Sequence, residues 1–212
     1  MDKEKEKGAV VLPENAFREL KDGETYEPLM SPNKTYREVT PWSVTWGLVM
    51  VVLFSAAAAY LGLKVGQVFE AAIPIAIIAI GLSTATHRKN ALGENVIIQS
   101  IGACSGAVVA GGIFVMPAIY MLDLQADFIK IFIAAALGGI LGILFLIPFR
   151  KYFVKDMHGK YPFPEATATT QVLVSGGEGG SQAKPLLVAG LVGGAYDFIV
   201  ATFGWWNENV TS

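Results

Sequence analysis

Two amide side chains stand in a long apolar stretch of the chain, and they are the first candidates for chemistry. Asn95 and Gln99 are followed by Gly102 and Gly106 at spacings that place all four residues on one face of a helix. An amide that points at lipid is costly, so this face should turn toward protein or a water-filled cavity. The pattern therefore predicts either helix packing or contact with a polar solute, and both roles stay open.

A second apolar stretch contains one acidic residue. Asp197 follows Gly190 and Gly194 at spacings that put all three residues on one helical face, so its carboxyl group should point into a bundle. An acid in a membrane is costly unless it is paired, hydrated or protonated, and the default hypothesis is a role with a proton or ion. The alternative is that the helix ends earlier and Asp197 lies near the outer interface.

The stretch from 161 to 180 has the composition of a half-helix. It reads YPFP at 161–164, EATATTQVLV at 165–174 and GGEGG at 176–180. Prolines and glycines bound a short helix, and Glu165 in its first turn is favourable against the helix dipole. A helix of this kind, with hydroxyl groups along it, suits a re-entrant or pore-lining segment. An ordinary helix held against the cytoplasmic surface is the equal alternative.

Membrane-spanning helices must position these residues. The first 41 residues carry 16 of the 34 charged side chains, and the other 171 residues carry only 18. That is about one residue in ten, where a soluble domain usually has about a quarter. A spanning helix needs about 20 mostly apolar residues. Five spans are predicted, at about 42–63, 70–86, 95–122, 130–149 and 186–206.

The basic residues predict the direction of these spans. With the tail (1–41) in the cytoplasm, 14 of the 16 Lys and Arg side chains are cytoplasmic and 2 lie outside, as the positive-inside rule requires. We therefore expect an all-α integral membrane protein, a polytopic helical bundle in the inner or plasma membrane. A cytoplasmic loop at 150–184 would hold the half-helix, and an extracytoplasmic end would follow at 207–212.

Several other classes of protein are disfavoured. A net charge of −2 gives no basic surface for nucleic acid, and a single cysteine, Cys104, rules out an internal disulfide framework and a cysteine-rich metal site. The sequence GGEGGSQAK at 176–184 fails as a phosphate loop, because Ala183 replaces the required glycine and Pro185 the required Ser or Thr. We expect no enzyme activity, no cofactor and no metal ligands of the chain's own.

Three ordered segments resemble the bacterial branch of the oligopeptide transporter family, which also contains the yellow-stripe-like metal-chelate transporters. The first is AYLGLKVG at 59–66. The second is ENVIIQS at 94–100, which runs into GIFVMPA at 112–118. The third extends from YP at 161–162 to GGEGG at 176–180. Their order and spacing also match, so that the resemblance covers about residues 38 to 195.

The resemblance implies a secondary importer driven by a cation gradient, usually of protons, that moves small peptides or peptide-like solutes. Family members look like longer bundles of about sixteen spans, so this chain would be an amino-terminal portion that packs against further helices. Two alternatives stay open. One is a transporter of metal chelates of the siderophore or nicotianamine type, and the other is a five-span scaffold or accessory subunit without transport.

The matching segments also suggest residues for the substrate and ion pathway. By motif these are Lys64, Glu94, Asn95, Gln99, Tyr161, Glu165 and Thr167, to which its position in a span adds Asp197. A coupling acid must titrate as the site changes its access, which leaves Glu94, Glu165 and Asp197 as candidates. The third segment departs from the family pattern at Ala166, Thr169 and Thr170, and these departures bear on the substrate preference more than on the fold.

Overall fold

A computed structural model describes residues 12–68, 70–125, 127–177 and 183–203 of the chain. The described residues form helices joined by loops, with a largely irregular segment before residue 41, and contain no strand. The helices in chain order are α1 (Pro41–Val65), α2 (Ala72–Ala85), α3 (Leu92–Val108), α4 (Met116–Met121), α5 (Phe128–Lys151), α6 (Pro164–Gly177) and α7 (Ala183–Phe203).

Three helical stretches of the described residues are long and apolar enough to cross a membrane. They are Pro41–Lys64, Leu92–Met121 and Phe128–Asp156, and the segments Ala72–Ala85 and Leu191–Val200 are apolar but shorter. The expected all-α polytopic membrane bundle is confirmed. The count of five spans and the cytoplasmic tail stay predictions, since nothing in the structure marks the two sides of the membrane.

Helix α1 begins and ends close to the predicted boundaries for local reasons. Thr40 precedes it as an N-cap in a reciprocal capping box with Ser43, and Pro41 occupies the first helical position, where its missing N–H costs nothing. Gly66 follows the helix with φ +76°, a left-handed conformation that glycine adopts without strain. Residues recognisable in the sequence therefore account for both ends of helix α1.

The predicted span 95–122 is interrupted. Helix α3 starts at Leu92, a π-helical turn over Val109–Ile113 follows, and α4 begins only at Met116. Pro117 explains the break, because it cannot donate a backbone hydrogen bond and its ring would clash with the carbonyl group four residues earlier. The single long helix of the prediction is therefore a kinked pair of helices.

Helix α3 packs against both α1 and α2, and glycine makes the close approach possible. A Cβ atom on Gly102 would lie 2.9 Å from two side-chain carbons of Ile75 and 3.1 Å from Cβ of Met50. Ile98 is fully buried in the same core. The buried face of α3 thus includes Asn95 and both glycines of the predicted pattern, and Gln99 lies at its half-buried margin.

Helix α5 lacks such packing within the described residues. None of its residues is buried, and a Cβ atom on Gly138 or Gly142 would have no neighbour within 4 Å. Among the paired glycines whose surroundings the structure describes, close packing is thus seen at the pair in α3. Gly194 of α7 is also open, and the side chain position at Gly190 lies outside the described residues.

Helix α6 lies alongside α2 and α3. Its C-terminal turn approaches the middle of α2 so closely that a Cβ atom on Gly176 would overlap the side chain of Ile80. Gly176 is buried there, and Leu173 and Val174 are buried one turn earlier. The end of α6 is therefore inserted between helices, while its first residues follow the loop at 157–163.

Candidate functional site

A cavity of about 530 Å³ lies between α2, α3, α6 and the amino-terminal tail. Its polar wall combines Gln99 from the second turn of α3 with Glu165, Thr169 and Thr170 from α6. Its other lining residues are apolar apart from the Tyr26 hydroxyl: Leu12, Tyr26, Leu29, Met30, Ala72, Leu92, Val96, Ala166, Leu173 and Val174. We call it the α3–α6 cavity. It brings together two residues that the sequence singled out, Gln99 and Glu165.

The two threonines of this wall differ in what their hydroxyl groups can do. The hydroxyl of Thr170 donates to the carbonyl oxygen of Ala166 at 2.7 Å, one helical turn earlier. Thr169 is only 5% exposed, and its Oγ1 has no hydrogen-bond partner among the described residues. A buried hydroxyl without a partner is costly, so Oγ1 of Thr169, which is shielded from solvent in this structure, is a candidate for a hydrogen bond with a polar group that enters the cavity. Sequence reasoning missed this residue, although the departure from the family pattern at Thr169 and Thr170 was a signal.

Tyr161 and Thr167 line a neighbouring cavity of about 870 Å³, which we call the loop cavity. It lies between the tail, the loop at 153–164 and the other side of α6. Ala166 and Thr170 line both cavities, because they lie on the part of α6 that separates them. Four of the predicted residues are therefore grouped around the first half of α6.

Glu94 belongs to a different cluster. Its carboxylate accepts hydrogen bonds from Nε and Nη2 of Arg88 at 2.6 and 2.5 Å, and from the hydroxyl of Thr40 at 2.7 Å. The guanidinium group of Arg88 lies 4.5 Å from the ring centroid of Trp42, in cation–π contact. The hydrogen bond to Glu94 raises the pKa of Arg88. Glu94 is 2% exposed. The hydrogen bonds to its carboxylate come from Thr40, at the start of α1, and from Arg88, in the α2–α3 loop.

Asn95 packs helices together. It is fully buried, and its Nδ2 donates to Oγ of Ser83 on α2 at 3.1 Å. Its Oδ1 has no partner among the described residues, which leaves part of the amide unsatisfied. The residue does not line the α3–α6 cavity. Of the two roles that the sequence left open, the contacts of Asn95 favour packing.

Comparisons with known proteins give this geometry a context. The model of the OPT oligopeptide transporter protein family matches residues 38–212. The chain belongs to the oligopeptide transporter family. A Haemophilus influenzae protein named for oligopeptide transport is 33% identical over 144 residues, which are 66% of this chain and 22% of that protein. The chain thus spans about a fifth of the length of this curated relative. No solved structure matches the chain.

Two further pathway residues are predicted for this oligopeptide transporter family member, Lys64 and Asp197. Lys64 is near the other end of α1, with its Nζ 5.8 Å from the ring centroid of Tyr60. Asp197 lies in α7, and its side chain is outside the described residues, so that its role stays a prediction. The described residues contain no cluster of three His, Cys, Asp or Glu side chains that could hold a metal ion.

Proposed function

We propose that this chain forms part of a proton-coupled importer of small peptides, and that the α3–α6 cavity is part of its substrate site. The observation that carries the proposal is the meeting of Gln99, Glu165 and the unpartnered hydroxyl of Thr169 in one cavity. Its volume of about 530 Å³ is in the range of sites for small organic ligands. The name of the Haemophilus influenzae relative supports peptides as the substrate class.

The chemistry of the cavity suits a peptide. A peptide presents amide donors and acceptors along its backbone, a cationic amino terminus and side chains that are often apolar. Gln99 can both donate and accept, the Thr169 hydroxyl can do the same, and Glu165 can pair with an ammonium group. The apolar remainder of the wall would receive side chains, as in most small-ligand sites.

Glu165 is the strongest candidate for the coupling acid among the described residues. It is exposed in the cavity and makes no hydrogen bond or ion pair with the described residues. Glu94 is already held by Arg88 and Thr40, so a proton on its carboxylate would have to displace both. A group that binds protons and substrate in alternation must be reachable from water, and only Glu165 of these two acids meets that requirement.

We also propose that α6 is a re-entrant half-helix. The burial of Gly176 against Ile80 on α2 supports insertion among the spans and disfavours a helix that only rests on the surface. The apolar surface of α5, which no described residue buries, would be covered by lipid and by further helices of a longer transporter. The 22% share of the Haemophilus influenzae relative agrees with this arrangement.

Uptake of a labelled tripeptide into proteoliposomes that contain the full-length transporter tests the site. Thr169→Val removes the unpartnered hydroxyl and should raise the KM for the peptide roughly three- to tenfold. Thr170→Val is the matched control, because that hydroxyl is already used by Ala166, and its KM should stay near the parent value. Equal effects of the two substitutions would contradict the proposed site. Flux of a metal chelate without peptide flux would contradict the substrate class.

A further inference from the structure

The amino-terminal tail is folded from Leu12 onward in spite of its charges. A 3₁₀ turn at Glu14–Ala16 leads to Arg18, whose guanidinium group holds both carboxylate oxygens of Glu24 at 2.8 Å. The backbone N–H of Lys21 donates to the same carboxylate at 3.0 Å. These contacts hold residues 13–24 in a folded loop around a partly exposed ion pair, and we call the segment 12–30, which contains this loop, the strap.

The strap is attached to the loop that precedes α6. Nε2 of His158 donates to the backbone carbonyl of Asn15 at 2.8 Å, and the rings of His158 and Tyr26 lie 5.3 Å apart. Gly159 has φ +72°, and a Cβ atom there would overlap the backbone of Arg18. The chain approaches itself at this point as closely as backbone atoms allow, which only glycine permits.

The strap also forms one wall of the α3–α6 cavity. Leu12, Tyr26, Leu29 and Met30 line it opposite α6, and Leu12 and Tyr26 extend into the loop cavity. This wall is apolar except for the hydroxyl of Tyr26, whereas the wall on α3 and α6 carries the amide, hydroxyl and carboxyl groups. The segment lies on the side that the distribution of basic residues predicts to be cytoplasmic.

We propose that the strap closes the cytoplasmic side of the α3–α6 cavity and supplies an apolar wall that selects the side chains of the substrate. Release into the cytoplasm then requires the strap to leave the loop at 157–160. Its attachment there includes, among the described residues, one hydrogen bond, one ring contact and the close approach at Gly159. A few small contacts of this kind can open and close without unfolding of the helices. The proposal that the strap selects substrate side chains rests on the proposed function, whereas the proposal that it closes the cavity does not.

Cysteine labelling tests the closure without any transport. In the full-length protein with its native cysteines replaced, Cys104→Ser among them, a cysteine at Thr169 reports on the α3–α6 cavity, which Thr169 lines although it is only 5% exposed. A membrane-impermeant maleimide is applied to the predicted cytoplasmic face in inside-out vesicles. His158→Ala removes a hydrogen bond and a ring contact of the strap and should speed labelling roughly three- to tenfold. His87→Ala changes the other histidine, in the α2–α3 loop, and should leave the rate unchanged.

Replacement of the strap by a Gly-Ser linker of equal length gives the labelling rate that is expected when the cavity is fully open. A rate in that variant equal to the parent rate would overturn the closure. So would equal acceleration by His158→Ala and His87→Ala. Because the readout is a chemical rate, it holds whether or not peptides are transported, and a failure of the proposed function is distinguished from a failure of the strap.

Peptide selectivity tests the apolar wall. Tyr26→Ala should raise the KM for a tripeptide with a large apolar side chain roughly three- to tenfold more than the KM for trialanine. Tyr36→Ala is the control, because the hydroxyl of Tyr36 accepts from the backbone N–H of Ser31 at 3.0 Å and the residue does not line the cavity. An equal change for both peptides with Tyr26→Ala would overturn the assignment of this wall.

Discussion

Arg88 holds the carboxylate of Glu94 through two guanidinium nitrogens, and this pair connects the α2–α3 loop to the start of α3. Thr40, the N-cap of α1, donates to the same carboxylate. Three chain segments thus meet at one buried acid. Since the acid is engaged on both oxygens, its role in the structure is to fix these helix ends, and Glu165 is the acid that we propose for coupling.

Replacement of Arg88 should reduce the stability of the protein more than its position in a loop suggests. Arg88→Ala would leave the buried carboxylate of Glu94 without its main hydrogen-bond donor, at a cost of about 1–3 kcal/mol in the free energy of unfolding. Lys89→Ala removes the neighbouring, exposed cation and should cost less than about 0.5 kcal/mol. Thermal unfolding of the purified protein in detergent measures both. A similar loss of stability in the two variants would refute the structural role of the pair.

The two glycines of α3 should respond differently to a methyl group. At Gly102 a Cβ atom would lie 2.9 Å from Ile75 in the core, so Gly102→Ala should cost about 1–3 kcal/mol. At Gly106 the nearest atoms are the carboxylate oxygens of Glu70, at 3.1 Å, and this flexible end of a side chain can move away. Gly106→Ala should therefore be nearly neutral in the same unfolding measurement, and the reverse order would contradict the observed packing of α3.

Gln99 and Ile98 are adjacent, but substitution of Gln99 should affect peptide uptake and substitution of Ile98 should affect stability. Gln99→Leu removes a polar group from the cavity wall and should reduce peptide uptake several-fold while the protein stays folded. Ile98 is fully buried in the core, so Ile98→Leu should lower stability by less than about 1.5 kcal/mol and leave uptake near the parent level. Uptake rates and melting temperatures of both variants check this separation. Equal loss of uptake would place Gln99 among the packing residues.

The sequence predicts the helices better than it predicts the contacts between them. The capping residues of α1 and the apolar runs are local signals, and the structure follows them to within a few residues. Pro117 in the sequence indicates a break in the stretch at 95–122, but it does not indicate that the helix widens at Val109–Ile113 to absorb the lost hydrogen bond. Long apolar runs hide such kinks, since composition does not change across them.

The hydrogen-bond partners of the polar residues depend on turns between helices, and the hydrophobic periodicity of the sequence does not predict these turns. Arg88 reaches Glu94 because His87 and Asn90 adopt positive φ angles of 51° and 53° between α2 and α3. The motif predicts that Glu94 lies in the substrate pathway. The fold shows instead that its carboxylate is paired with Arg88, a residue of the α2–α3 loop. Residues 12–30 show neither helical nor strand periodicity, so the strap could not be anticipated from their sequence.

The ion pair inside the strap should persist over the pH range in which a proton importer works. The hydrogen bond from Arg18 lowers the pKa of Glu24 from 4.5 to about 2. The stabilising pair is therefore fully present above about pH 4.5 and is lost only as the pH falls toward 2. Between about pH 5 and 7.5, the labelling rate at Thr169→Cys, corrected for the reactivity of a model thiol, should therefore not change as a result of titration of this pair.

Glu24→Gln should speed the same labelling at every pH in that range, because the neutral amide pairs poorly with Arg18. Glu27→Gln, on an exposed residue of the strap, is the matched control and should label at the parent rate. Acceleration that appears in the Glu24 variant only near pH 5 would contradict the assignment of the low pKa to this pair.

Peptide uptake driven by an imposed pH gradient tests the central claim most directly. Proteoliposomes with the full-length transporter, acidic outside, should accumulate a labelled tripeptide above its external concentration. Glu165→Gln should abolish this accumulation but retain downhill peptide exchange, since the amide can still bind a peptide but cannot bind a proton, and Glu27→Gln should behave like the parent. Accumulation by the Glu165→Gln variant at the parent rate would contradict the claim, as would the absence of peptide flux in the parent.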